Sequence, residues 1–217
     1  MYRPTVYIVD DDPAVRRSLA LWLGFRGLNT LDYDAAENFL AALGADAQGC
    51  AILDVRMQGM DGLGVQRELV RRGIDLPLVF LTGQADVPTV RTALKAGAYD
   101  FLEKPVDNDR LVEVVAGALA RDELRWQSAQ RLIQLRERIA RLTEREREVM
   151  DFVVAGRHNR EIAVDLGISA RTVEVYKSRL MDKLDVHRVA DLVRLSLLLQ
   201  GATAEAVDPP AVASATR

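Results

Sequence analysis

The chain has 217 residues, 49% of them hydrophobic and 28% charged, an ordinary globular composition that excludes collagen-like and largely disordered proteins. No apolar run approaches the ~18 residues of a membrane span, and Met1-Tyr2-Arg3-Pro4 lacks the basic start, apolar stretch and cleavage site of a secretory signal, so a cytoplasmic protein without a membrane partner is expected. The net charge of −3 is spread unevenly, −5 over residues 1–120, +3 over 121–142 and zero over 143–199, so a nucleic-acid reading finds no support in bulk charge and must rest on local placement.

The first 120 residues alternate strand-like and helix-like patterns five times. Strand-like runs are Thr5–Val9, Leu28–Tyr33, Cys50–Leu53, Leu78–Leu81 and Asp100–Leu102. Helical patterns are Pro13–Phe25, Ala36–Leu43, Leu63–Arg72, Val87–Ala96 and Asp107–Ala120, with Gly73, Pro77 and Gly97 punctuating the joins. Cys50, the single cysteine, excludes an internal disulfide and opens the apolar run Cys50-Ala51-Ile52-Leu53, where a buried structural thiol is expected. Short apolar strands alternating with helices predict an α/β domain with a doubly wound, five-stranded parallel sheet over residues 1–121. Residues 122–142 read as a charged helical linker with an apolar stripe, Leu132, Leu135, Ile139 and Leu142, too short for a coiled coil.

From Thr143 the pattern is all helical. Thr143-Glu144-Arg145-Glu146 is a capping box, and the helix that it starts ends at Gly156. Arg160–Leu166 follows and is stopped by Gly167. Ser169 then caps a helix to about Leu184, and a fourth runs from about Arg188 to Leu199. A small all-α four-helix domain is expected over 143–200. The Ala-, Pro- and Thr-rich segment 201–217 has no core-facing pattern and reads as a disordered tail.

Parallel strands end on one edge, so residues at their C-terminal ends meet in space. Four strands here end in polar groups: Asp10-Asp11-Asp12, Asp54, Thr82 and Glu103-Lys104. One acid at a strand end is an ordinary cap or turn residue, and Asp12 is read that way, at the positive end of a helix dipole. Several carboxylates converging on one edge repel one another unless a cation sits among them. An oxygen-rich, partly solvated set of that kind suits Mg²⁺. A metal-bound carboxylate beside a lysine and a hydroxyl can receive a phosphoryl group, with Asp54 as nucleophile and Lys104 and Thr82 on the phosphoryl oxygens.

Ile8-Val9-Asp10-Asp11-Asp12, Ile52-Leu53-Asp54-Val55-Arg56-Met57, Phe80-Leu81-Thr82-Gly83 and Asp100-Phe101-Leu102-Glu103-Lys104-Pro105 resemble, in order and spacing, the signature set of response-regulator receivers. The resemblance implies a flavodoxin-like fold, a sensor histidine kinase as partner and Asp54 as phosphoacceptor. It also implies Mg²⁺ bound by Asp11, Asp54 and the main-chain carbonyl of Arg56, with Asp10 acting through water. Lys104 would pair with the phosphate, Thr82 and Phe101 would form a conformational switch, and the Lys104-Pro105 peptide would be cis. Gln58 departs from the family, which has proline there, and Phe101 lacks the hydroxyl of a switch tyrosine.

The turn Leu166-Gly167-Ile168-Ser169 between two helices fits helix-turn-helix geometry. Val173, Tyr176, Leu180 and Leu184 form an apolar face, while Arg171, Glu174, Val175 and Ser178 lie opposite it as candidates for base edges. Lys177, Arg179 and Lys183 add positive charge, and Asn159, Arg160, Ser169 and Thr172 are candidates for phosphate contacts. Thr143-Glu144-Arg145-Glu146-Arg147-Glu148-Val149, Asn159-Arg160-Glu161-Ile162-Ala163 and Arg171-Thr172-Val173-Glu174-Val175 are similar to LuxR-type output domains, and the two-domain order resembles the NarL/FixJ class, the FixJ branch above all. Tyr176 stands where that family has histidine, and Arg160 where lysine is common. The resemblance implies double-stranded promoter DNA, a homodimer on phosphorylation and RNA polymerase as partners, and favours activation of transcription. Two rivals stand beside it. One is a Mg²⁺-dependent phosphohydrolase with its nucleophile at Asp10, for which the chain lacks a cap insertion. The other is an adaptor whose helical domain never touches DNA.

Overall fold

The computed structural model describes residues 1–83 and 87–207. Its contacts divide the chain into two compact units, Met1–Gln127 and the segment from Ser128 onward. The first unit alternates strands β1 (Thr5–Val9), β2 (Thr30–Tyr33), β3 (Gly49–Asp54), β4 (Leu78–Thr82) and β5 (Asp100–Glu103) with helices α1 (Pro13–Phe25), α2 (Ala36–Ala42), α3 (Gly62–Arg71), α4 (Val87–Lys95) and the part of α5 (Asn108–Ala140) up to Gln127. Every strand pairing is parallel, in the order β2-β1-β3-β4-β5. This is the expected doubly wound sheet, with its order reversal between β1 and β3.

The two-residue period of a strand explains the two cores. Along β3 and β4, Ala51, Leu53, Leu78 and Phe80 face one side and join Phe39, Val65 and Leu69 from α2 and α3. Cys50, Ile52, Val79 and Leu81 face the other and join Leu19, Leu23, Leu111 and Val115 from α1 and α5. Strands covered on both faces have no polar alternation, which is why β3 and β4 are buried throughout. Truncating a leucine such as Leu111, fully buried here, to alanine costs roughly 2–5 kcal/mol.

The second unit contains α6 (Glu144–Val154), α7 (Asn159–Leu166), α8 (Ala170–Leu184) and α9 (Val189–Val207). Val149, Val153, Ile162, Val173, Leu180, Leu184 and Leu192 form its core. The capping box is present as read: Thr143 N donates to Glu146 Oε2 at 2.8 Å, and Glu146 N donates to Thr143 Oγ1 at 3.3 Å.

Several element boundaries lie one or two residues from those read in the sequence, and three differences have a clear physical cause. Leu28 is not strand: its N–H donates to Leu23 O at 3.1 Å, closing the α1 terminus around Gly27, whose φ is +77°. The helical pattern over Asp107–Ala120 and the helical linker after it form one continuous helix to Ala140, since no glycine or proline interrupts residues 118–140. The final helix runs past Leu199 to Val207, so the tail expected from residue 201 is helical at its start, where Ala202, Ala204, Glu205 and Ala206 are strong helix formers. Residues 208–217, the remainder of that expectation, lie outside the described residues.

Candidate functional site

The C-terminal edge of the sheet brings three of the expected carboxylates together. Oxygens of Asp10, Asp11 and Asp54 lie within 4.8 Å of one another. Asp10 and Asp54 are 2% and 7% exposed, whereas Asp11 faces solvent. Lys104, carried round by β5 and followed by a cis peptide to Pro105, places Nζ 2.6 Å from Asp10 Oδ2 and 2.9 Å from Asp54 Oδ1. One ammonium thus bridges two buried carboxylates.

Local structure fixes each member. Asp10 is the first residue after β1, and its Oδ1 accepts from Asp12 N at 2.9 Å. Asp12 is the helix-start residue that the sequence suggested, capping Ala14 N at 2.7 Å. Asp54 closes β3, opposite Leu81 of β4, and its Oδ2 accepts from Arg56 N at 3.1 Å. Gly62, at the start of α3, packs under this strand end: a side chain there would run into the carbonyl oxygen of Asp54. Thr82 is buried at the end of β4, and its carbonyl accepts from Lys104 N at 2.7 Å. Phe101 is half-buried, its ring 6.3 Å from that of Phe80.

Burial pushes the Asp54 carboxyl above the usual carboxylate range, against the pull of Lys104, and neighbouring Asp10 adds to the rise. Burial also works against the charge of Lys104, but its hydrogen bonds to Asp10 and Asp54 outweigh that and raise its pKa. Cys50, fully buried two layers below the rim, has its thiol pushed up to about 12 by desolvation, as a structural thiol should.

Sequence reasoning missed several residues that hold this edge. Arg16 Nη1 donates to Asp10 O at 2.7 Å while its Nε donates to Asp32 Oδ2 at 3.2 Å. Gln58 N donates to Asp11 Oδ2 at 3.2 Å, and Glu37 Oε1 accepts from Met60 N at 3.1 Å. Apart from Arg16 to Asp10, these contacts join segments 16 to 47 residues apart, and none leaves a periodic signal.

In the second unit, Gly167 ends α7 in the left-handed region at φ +65°, and Ser169 Oγ accepts from Thr172 N at 3.0 Å to start α8. Arg160, Ser169, Arg171, Glu174, Val175, Ser178 and Arg179 are exposed; Asn159, Thr172 and Lys177 are half-buried. Val173, Leu180 and Leu184 are buried, with Tyr176 packed on the same core, so the two faces of α8 divide as read. Lys183 has an internal partner that the sequence did not reveal. Its Nζ lies 2.6 Å from Glu146 Oε2 and 3.3 Å from Arg141 O, which gives it a role in tying α8 to α6.

Among known proteins, the model of the response regulator receiver domain matches residues 6–116. The chain belongs to the response-regulator family. Residues 140–196 match the bacterial regulatory proteins of the luxR family, so a receiver is followed by a LuxR-type helix-turn-helix DNA-binding domain, the architecture of transcriptional regulators in two-component systems. The transcriptional regulatory protein FixJ of Azorhizobium caulinodans is 41% identical over 94% of this chain and 97% of its own length. The C4-dicarboxylate transport transcriptional regulatory protein DctR of Rhodobacter capsulatus is 42% identical over 88% and 98%. Among solved structures, the response regulator StyR is 36% identical with a TM-score of 0.81, covering 90% of this chain and 98% of that one. Full-length FixJ from B. japonicum, also 36% identical, covers 93% and 99% with a TM-score of 0.56. Among the described residues no helix is long and apolar enough to cross a membrane.

Proposed function

We propose that this response regulator accepts a phosphoryl group on Asp54 from a sensor histidine kinase and, when phosphorylated and dimeric, binds promoter DNA to activate transcription. The observation that carries the reading is the convergence of Asp10, Asp11 and Asp54 on one rim with Lys104 bridging two of them. In the transfer, an Asp54 carboxylate oxygen bonds to phosphorus as the bond to the kinase's histidine nitrogen breaks. The fold and family also support a cytoplasmic setting, and beyond accepting the kinase's phosphoryl group the protein's own chemistry is confined to self-phosphorylation and slow autodephosphorylation at Asp54.

The donor set fits a hard divalent cation. It is all oxygen, it gathers three carboxylates, and one of them faces water, which suits the partly hydrated Mg²⁺. Asp11, Asp54 and the main-chain carbonyl of Arg56 would hold it, with Asp10 acting through water. When bound, it neutralises charge on the phosphoryl oxygens. Lys104 adds a second positive charge, and its contact to Asp54 becomes available to the incoming group. Thr82 then hydrogen-bonds a phosphoryl oxygen, Phe101 turns inward, and a pre-existing equilibrium of the receiver surface shifts.

On DNA, Arg171, Glu174, Val175 and Ser178 would face base edges, with Asn159, Arg160, Ser169 and Thr172 toward phosphates and Lys177, Arg179 and Lys183 adding local positive charge. A nearly neutral domain binds feebly alone, so pairing of two copies and contact with RNA polymerase complete the proposal. Treatment with acetyl phosphate, followed by peptide mass mapping and footprinting at equal protein concentration, tests it. Label on Asp54 and a rise in occupancy are expected. Label on Asp10, or equal occupancy with and without the phosphodonor, would refute it.

A further inference from the structure

The three carboxylates of the rim are not held alike. Asp10 and Asp54 are buried and share Lys104, and each also accepts a backbone N–H within its own segment. Asp11 is exposed, and among the described residues the donor that reaches its carboxylate is the backbone N–H of Gln58, 3.2 Å from Oδ2. Gln58 lies in the loop between β3 and α3. That loop is tied on both sides of Gly59, whose φ is +78°: Gln58 N to Asp11 on one side, Met60 N to Glu37 of α2 on the other.

A proline has no N–H and could not make the first of these ties. The contact therefore depends on the residue at 58 through its backbone, and any residue except proline can supply it. The carboxylate it holds would otherwise rotate freely in water, close to two others of like charge. An N–H dipole directed at Oδ2 offsets part of that repulsion and fixes the rotamer in advance, while among the described residues no donor reaches Oδ1.

We infer that Gln58 is a positioning residue for the divalent cation: its main-chain N–H orients Asp11 and so strengthens Mg²⁺ binding. The inference rests on the reading of Asp11 as a cation ligand. Calorimetric titration of the full chain with Mg²⁺ tests both, using wild type, Gln58→Ala, Gln58→Pro and Asp11→Asn. Gln58→Ala keeps the N–H and should bind within about twofold of wild type, whereas Gln58→Pro should bind about threefold to tenfold more weakly. Equal affinity of the alanine and proline variants, with Asp11→Asn weakened, overturns the role of Gln58 alone. Wild-type affinity in Asp11→Asn overturns the cation reading of Asp11 itself. A second measurement holds even should the proline variant not fold. In ¹⁵N-labelled, metal-free protein, Asp11→Asn should shift the Gln58 amide resonance, and an unmoved resonance counts against the contact.

Discussion

The sheet of the first unit carries a buried carboxylate site at each end, and the two are built differently. At the C-terminal edge, Asp54 accepts from Lys104 Nζ and Arg56 N among the described residues, and shares Lys104 with Asp10. At the opposite edge, Asp122 of α5 is 0% exposed and is saturated. Its Oδ2 accepts from Tyr2 Oη at 2.9 Å and Gly49 N at 2.6 Å, and its Oδ1 from Arg125 Nε at 3.0 Å and Nη2 at 2.6 Å. Arg125 also reaches Ala47 O, and the ring of Tyr2 packs 5.7 Å from that of Trp126. A carboxylate whose lone pairs are all engaged locks structure. One that keeps acceptor capacity beside a shared cation can still bond to something new.

Substitutions at the two ends should separate these roles. The largest effect is expected of Asp54→Asn, which should eliminate phosphorylation by acetyl phosphate while leaving urea unfolding nearly unchanged. Asp122→Asn should do the reverse. Disturbing a buried, fully paired charge should lower the stability of the first unit by roughly 3 kcal/mol in urea, with phosphorylation of the folded protein retained. Loss of phosphorylation at unchanged stability in Asp122→Asn would break the comparison.

Glu146 extends the contrast to the second unit, because it is buried yet paired with Lys183 and Thr143. The Lys183 contact, with the capping-box bonds behind it, holds its pKa below the ordinary 4.5. A depressed carboxyl pKa gives stability that is present above the unfolded value and is lost as pH falls through the folded one. Unfolding of the second unit should therefore become easier below about pH 4.5, and Glu146→Gln should flatten that dependence and cost about 2 kcal/mol at neutral pH. Smaller still, Tyr2→Phe removes one of the four donors to Asp122 and should cost about 1 kcal/mol, read by thermal unfolding. A cost near zero there would mean that three donors suffice.

Much of the rim was legible in the residues. Asp10, Asp54 and Lys104 each follow or close an apolar strand, and a parallel sheet has no choice but to gather its strand ends. The Asp122 cluster was not legible. Residues 122–142 read as a linker because Asp122, Arg125 and Trp126 continue a charged helix whose pattern does not show that its first turns dock on Tyr2 and Gly49. The internal pairing of Lys183 was not legible for a related reason: a lysine on the polar side of α8 gives no sign of Glu146 until α6 brings that carboxylate beside it.

Local chemistry decided in the sequence which segments are strands, which are helices and where caps and turns fall, because hydrophobic period, glycine, proline and hydroxyl caps act within a few residues. The pairing of charges was settled only in the tertiary structure. Whether Arg16 meets Asp32, Gln58 meets Asp11 or Tyr2 meets Asp122 depends on distances across the fold, and a hydrogen bond a few ångströms long leaves no period in the chain to be read.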